Sequence, residues 1–128
     1  MRALLDTHAL LWWALDDPRL SRRAYTAIAG QEGTVYVSAA TAWEIAMKVR
    51  LGKLSVDPSV SADLGAYFAE QGFIELAVTV AHGQRAGALP ASHRDPFDRM
   101  LIAQAQIENL VIVSSEALFD AYGITRIW

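Results

Sequence analysis

The sequence predicts one α/β domain with a central, mainly parallel sheet of about four to five strands and helices on both faces. Three observations predict it. Short apolar or β-branched runs alternate with helical patterns almost throughout the chain. Its 128 residues match the length of one domain, enough to bury a real core without cross-links. No repeat, low-complexity stretch or linker interrupts the order, so residues 1–128 read as one unit. Strands separated by helices pair in parallel because parallel neighbours need a crossover.

The elements follow in order. Arg2 to Asp6 is a short apolar run and reads as the first strand. Thr7 to Leu15 carries Leu10, Leu11, Ala14 and Leu15 at helical spacing, and Pro18 closes that pair. Leu20 to Gln31 is helical in pattern, ended by Gly30 and Gly33, and Thr34 to Ser38 alternates as a β-branched strand. Ser38 caps a helix from Ala39 to about Leu51, stopped by Gly52. Pro58 to Glu70 reads as a helix with proline in its first turn, Gly72 breaks it, and Phe73 to Val78 is strand-like. A short helix from about Thr79 to Ala88 precedes the loop around Pro90. Asp95-Pro96 opens a helix to Glu108, Leu110 to Val113 is a fully apolar strand, Ser115 to Tyr122 is helical and closed by Gly123, and Ile124 to Ile127 is a last strand.

Composition removes several function classes. With no cysteine, thiolate nucleophiles, CxxC redox chemistry and thiolate zinc sites are all out. The longest apolar run, Ala9 to Leu15, is far short of the roughly 18 residues of a membrane span, so no membrane association and a cytoplasmic location are expected. A net charge of −3 argues against a broadly basic nucleic-acid-binding module. Neither GxxxxGK[ST] nor GxGxxG is present, and Lys48 and Lys53, the only lysines, do not suit a receiver-like signalling domain.

What remains is a set of acids at meaningful places. Asp6 ends the first strand, Glu44 sits in a helix apolar over most of its circumference, Asp95 and Asp98 open a helix, and Glu116 follows Ser114 just past a strand. In a parallel α/β sheet the reactive edge lies at the carboxyl ends of the strands. Each residue also has an ordinary structural explanation. Asp6, Asp95 and Ser115 suit helix N-caps, Asp98 suits the positive helix end, and Glu44 with Lys48 is a favourable i,i+4 pair. It is their conjunction that points to chemistry, because gathered carboxylates require a hard cation to relieve their repulsion. Of 14 acidic residues five belong to this group; the other nine face eleven lysines and arginines, a net +2 around an acidic pocket, which suits a metal-dependent phosphodiesterase.

Three segments carry a family likeness: Leu4-Leu5-Asp6-Thr7-His8-Ala9-Leu10-Leu11-Trp12, Ser38 to Lys48, and His93-Arg-Asp-Pro-Phe-Asp-Arg-Met-Leu-Ile-Ala-Gln-Ala105. In order and over essentially the whole chain they resemble the motif blocks of PIN-domain proteins, specifically the VapC-type toxins of bacterial toxin–antitoxin modules. The resemblance implies a PIN-like fold and a Mg²⁺- or Mn²⁺-dependent endoribonuclease acting on RNA, inhibited by a VapB-like antitoxin and forming a homodimer. By motif position it places the family's acids on Asp6, Glu44 and Asp98, with Asp95 the additional acid of this subgroup. It places the last acid on Glu116, two residues after Ser114, where the family more often carries aspartate.

On this reading Asp6 and Asp98 are direct metal ligands, with Glu44 and Asp95 completing the metal group. Glu44, Asp95 and Glu116 also orient or activate water, and Ser114 supports them. Arg94, Arg99 and Lys48 are candidate RNA contacts, with Arg50 and Lys53 as a further set. His8 and His93 are expected as supporting or surface groups, and Trp12-Trp13 as core packing or a dimer seam rather than base stacking. The competing reading is a catalytically inactive PIN-like module that binds RNA or protein, its acids acting only as caps.

Overall fold

A computed structural model describes residues 1–30, 33–90 and 93–128. Five strands, β1 (Arg2–Leu5), β2 (Thr34–Ser38), β3 (Ile74–Leu76), β4 (Val111–Val113) and β5 (Arg126–Ile127), form one sheet in the order β3-β2-β1-β4-β5. Every pairing is parallel.

Period-two side-chain alternation divides the core. Ala3, Leu5, Val35, Val37 and Val113 face one layer, with Leu10, Ile28, Ile45 and Phe68 from the helices α1 (Thr7–Ala14), α2 (Arg22–Ala29), α3 (Ala39–Arg50) and α5 (Leu64–Gln71). Leu4 and Ile112 face the other, packed by Leu101, Ile102 and Ala105 of α7 (Pro96–Glu108) and by Phe119 from a 3₁₀ turn at Ala117–Tyr122. The helix α6 (Val80–Ala88) lies along α7, and α4 (Pro58–Ser61) is a single turn before α5.

Local chemistry sets most boundaries where the sequence places them. Side chains of Asp6, Ser38, Thr79 and Asp95 accept from the first-turn N–H groups of α1, α3, α6 and α7. Gly52, Gly72 and Gly123 adopt the left-handed backbone that ends the preceding helical segments. Four expectations change. The helix over 58–70 is two, because Asp63 takes an extended backbone and accepts from the Ala66 N–H, starting a new helix. The segment from Ser115 is a 3₁₀ turn beginning at Ala117, since the Ser114 hydroxyl, not Ser115, takes the Glu116 N–H. The third and last strands are shorter than expected, with only Ile74–Leu76 and Arg126–Ile127 pairing. The helix expected from Leu20 starts at Arg22 because Ser21 caps it; its expected end at Gln31 lies outside the described residues.

Candidate active site

The chain runs from β1 outward through β2 to β3, then returns to β4 and β5 on the opposite side, so the direction of winding reverses between β1 and β4. In open α/β sheets a crevice forms at that reversal, outside the carboxyl ends of the strands. Register pairs Leu5 with Val113, so the next residues, Asp6 and Ser114, stand abreast at that edge. Both are buried. The Ser114 hydroxyl donates to Asp6 Oδ2, and the Ala9 N–H donates to Oδ1 at 2.8 Å. Asp6 is therefore a helix cap and also a buried acid at the carboxyl edge of the sheet. Burial pushes its carboxyl up to about 6, against the bonds from Ser114 and Ala9 and the charge of His8, and the Asp98 carboxylate pushes the same way.

Glu44 lies on the second turn of α3, and only 6% of it is exposed. The Thr7 hydroxyl donates to its Oε1 and the Lys48 ammonium to Oε2 at 2.7 Å. The i,i+4 pair expected from sequence thus exists, but its acid end is buried while the lysine is more than a third exposed. Asp98 is the third residue of α7. Burial raises its pKa, the His93 hydrogen bond lowers it, and the charges of Asp95 and Glu44 raise it again. The helices that carry Glu44 and Asp98 meet through the edge contact of Trp43 on Phe97, centroids 5.2 Å apart. Drawn from three regions of the chain, the acids are linked pairwise: the Asp98 carboxylate acts on Asp6, and the Glu44 carboxylate acts on Asp98.

Other expected residues are used differently. Asp95 is exposed, and its Oδ1 accepts from the Phe97 and Asp98 N–H groups at 2.8 and 3.1 Å, which caps α7. Glu116 is exposed, and its charge acts on Arg126. Arg99 places its guanidinium against backbone carbonyls of the end of α6 and of His93 instead of facing outward. Arg94 is exposed beside the acids, as are Arg50 and Lys53 further along α3 and beyond it. Trp13 packs on Tyr25 and Phe73, while Trp12 stacks with His8 and meets Trp128. Sequence reasoning gave no role to Thr7 or Trp43. The Thr7 hydroxyl holds Glu44 and could have been suspected from its place beside Asp6; nothing in the sequence marks Trp43 as an exposed rim residue.

Among the described residues, no three histidine, aspartate or glutamate side chains already form a metal-binding cluster. The donor set still suits a hard divalent cation. It is all oxygen, and the two carboxyls raised by burial and neighbouring charge, Asp6 and Asp98, are the ones whose ionised form a cation would favour. Mg²⁺ needs only one or two such carboxylates directly and keeps the rest of its shell as water.

A family model described as PIN domain matches residues 3–124. Among solved structures, the chain is similar to VapBC2 from Rickettsia felis bound to a DNA fragment from their promoter, with 14% identity and a TM-score of 0.73 over 98% of this chain and 97% of that one. It is similar to VapBC-1 from nontypeable Haemophilus influenzae, with 14% identity and a TM-score of 0.69 over 98% and 96%. DNA-bound VapBC from Salmonella typhimurium matches with 17% identity and a TM-score of 0.68 over 98% and 96%. At these identities the likeness is one of fold. No curated protein sequence matches the chain.

Proposed function

The chain belongs to the PIN-domain family, and from that premise we propose that it is a Mg²⁺- or Mn²⁺-dependent endoribonuclease, the toxin of a VapBC-type toxin–antitoxin pair. The observation that supports this reading is a buried Asp6 at the carboxyl edge of the sheet within electrostatic reach of Asp98, which is itself within reach of the buried Glu44. Capping explains why an acid follows β1 and why acids open α7. It does not explain why a glutamate from α3 is buried toward the same place.

Asp6 and Asp98 would hold the cation directly. Held there, it supplies charge neutralisation at the scissile phosphate and activation of the attacking water. Glu44, fixed by Thr7 and Lys48, orients that water, and Ser114 keeps the Asp6 carboxylate turned toward the crevice. Asp95 acts through the helix it caps, and Glu116 contributes only negative field at the margin. Arg94 and, at the outer end of its pair with Glu44, Lys48 offer positive charge to the RNA backbone. The similar structures are VapBC assemblies, which supports a VapB-like antitoxin as partner; a homodimer acting in the cytoplasm completes the proposal.

Purified protein incubated with RNA tests it. Cleavage should require Mg²⁺ or Mn²⁺, stop with EDTA, return when metal is restored, and be lost in Asp6→Asn and Asp98→Asn. Undiminished cleavage by either variant at saturating Mg²⁺ would overturn the assignment.

A further inference from the structure

Arg99 follows Asp98 directly, yet forms no ion pair with it or with Asp95. All five of its N–H groups are spent on main-chain carbonyls. Nε donates to Ala86 O at 3.0 Å, Nη1 to Pro90 O at 3.1 Å and His93 O at 2.9 Å, and Nη2 to Gly87 O at 3.3 Å and Leu89 O at 2.6 Å. A guanidinium has five donors in a rigid planar fork, so this one is saturated. Three of the carbonyls belong to the end of α6, where a cation also meets the negative end of the helix dipole. The fourth and fifth, on Pro90 and His93, tie down the approach to α7. His93 in turn sets its Nε2 against Asp98 Oδ2 at 2.8 Å. A carboxylate only accepts, so toward ionised Asp98 that nitrogen is the donor.

We propose that His93 and Arg99 are positioning residues for Asp98: the His93 N–H engages Oδ2 so that Oδ1 is presented to a divalent cation, and Arg99 fixes the imidazole by anchoring the backbone that carries it. The inference rests on the functional reading above and deepens it. Arg99 thereby leaves the set of RNA contacts and gains an indirect role. The spacing in His93-Arg-Asp-Pro-Phe-Asp-Arg99 acquires a residue-by-residue reason: Asp95 caps the helix, Asp98 holds the ion, and the residues at the two ends of the motif hold Asp98. Hydrogen-bond partners behind metal ligands fix ligand orientation, and losing one typically weakens metal affinity about 10–100-fold.

The experiment is a titration of the full chain with Mn²⁺, free ion being followed by electron paramagnetic resonance, alongside thermal melts. His93→Ala should weaken Mn²⁺ binding at least about tenfold, and His93→Gln, which keeps a side-chain N–H, should recover part of that loss. Arg99→Lys, unable to span five carbonyls, should weaken binding comparably, and His93→Ala/Arg99→Lys should lose no more than His93→Ala alone. A merely structural arginine would lower the melting temperature and leave Mn²⁺ affinity unchanged, or add its loss to that of His93→Ala; either outcome overturns the link. Should Arg99→Lys fail to fold, the two His93 variants decide. Wild-type affinity in His93→Ala overturns the proposal and leaves the nuclease reading standing; a wild-type chain that neither binds Mn²⁺ nor cleaves RNA overturns both.

Discussion

Asp6 shows how one side chain can cap a helix and still carry a pKa displaced by burial. Its carboxylate caps α1 through Ala9 and is held by Ser114, but burial leaves it with a pKa of about 6. An acid whose pKa rises on folding binds its proton more tightly in the native state. Its stabilising contribution is complete below about pH 4 and is lost as pH climbs through about 6, where the charge must be carried in a desolvated place. A shift of this size corresponds to about 3 kcal/mol. In EDTA at pH 8, Asp6→Asn should therefore melt higher than wild type, since an amide oxygen still caps α1. In saturating Mg²⁺ the order should reverse, because only wild type gains binding free energy. Differential scanning fluorimetry in the two buffers reads both, and an Asp6→Asn protein that melts lower in EDTA would contradict the buried-charge account. Ser114→Ala removes a bond that lowers the Asp6 pKa, so the acid limb of the pH–rate profile should move to higher pH.

At the scale of elements, the first turn of α7 separates two acids that look alike in sequence. Asp95 makes the cap, whereas Asp98 is bonded by His93 and lies within electrostatic reach of Glu44. Asparagine caps nearly as well as aspartate, so Asp95→Asn should keep both stability and most activity, whereas Asp95→Ala should cost about 1 kcal/mol on denaturation. Asp98→Asn should lose at least about a hundredfold in rate, the several kcal/mol that a metal contributes to the transition state. Caps of this kind are legible in sequence because they act over two or three residues; Asp6, Ser38 and Asp95 all lie where that short-range rule puts them. The break at Asp63 was not legible. Pro58 to Glu70 continues a helical pattern, and only the choice of Asp63 to bond the Ala66 N–H divides it. Nor was Arg99. A basic residue beside two acids reads as a ligand for phosphate or a partner for carboxylate, and nothing local reveals that five carbonyls from another helix end and its loop converge on it.

At the scale of the molecule, alternating strand and helix patterns fix a parallel sheet, and the reversal between β1 and β4 places Asp6 and Ser114 side by side although 108 positions separate them. Sequence pattern gives the existence of β4 and its polar end; the strand order that joins it to β1 is a property of the assembled sheet. Glu44 belongs to the same case, since its i,i+4 lysine explains it locally and only the packing of α3 on α7 turns its carboxylate inward. Because Asp6, Glu44 and Asp98 are carried by separate elements packed on the two core layers, a cavity in either layer should disturb their placement. Ile112→Ala, beneath the β1–β4 edge, should cost about 2–5 kcal/mol and lower activity at temperatures where the wild type is still folded. Urea denaturation and activity measured on the same preparation check this.

The most direct test is anomalous diffraction from crystals of the protein soaked in Mn²⁺. The account predicts a peak in the crevice at coordination distance, about 2 Å, from carboxylate oxygens of Asp6 and Asp98, absent from crystals of Asp6→Asn. A well-ordered structure with no peak there at saturating Mn²⁺, or with the ion bound elsewhere, would contradict it.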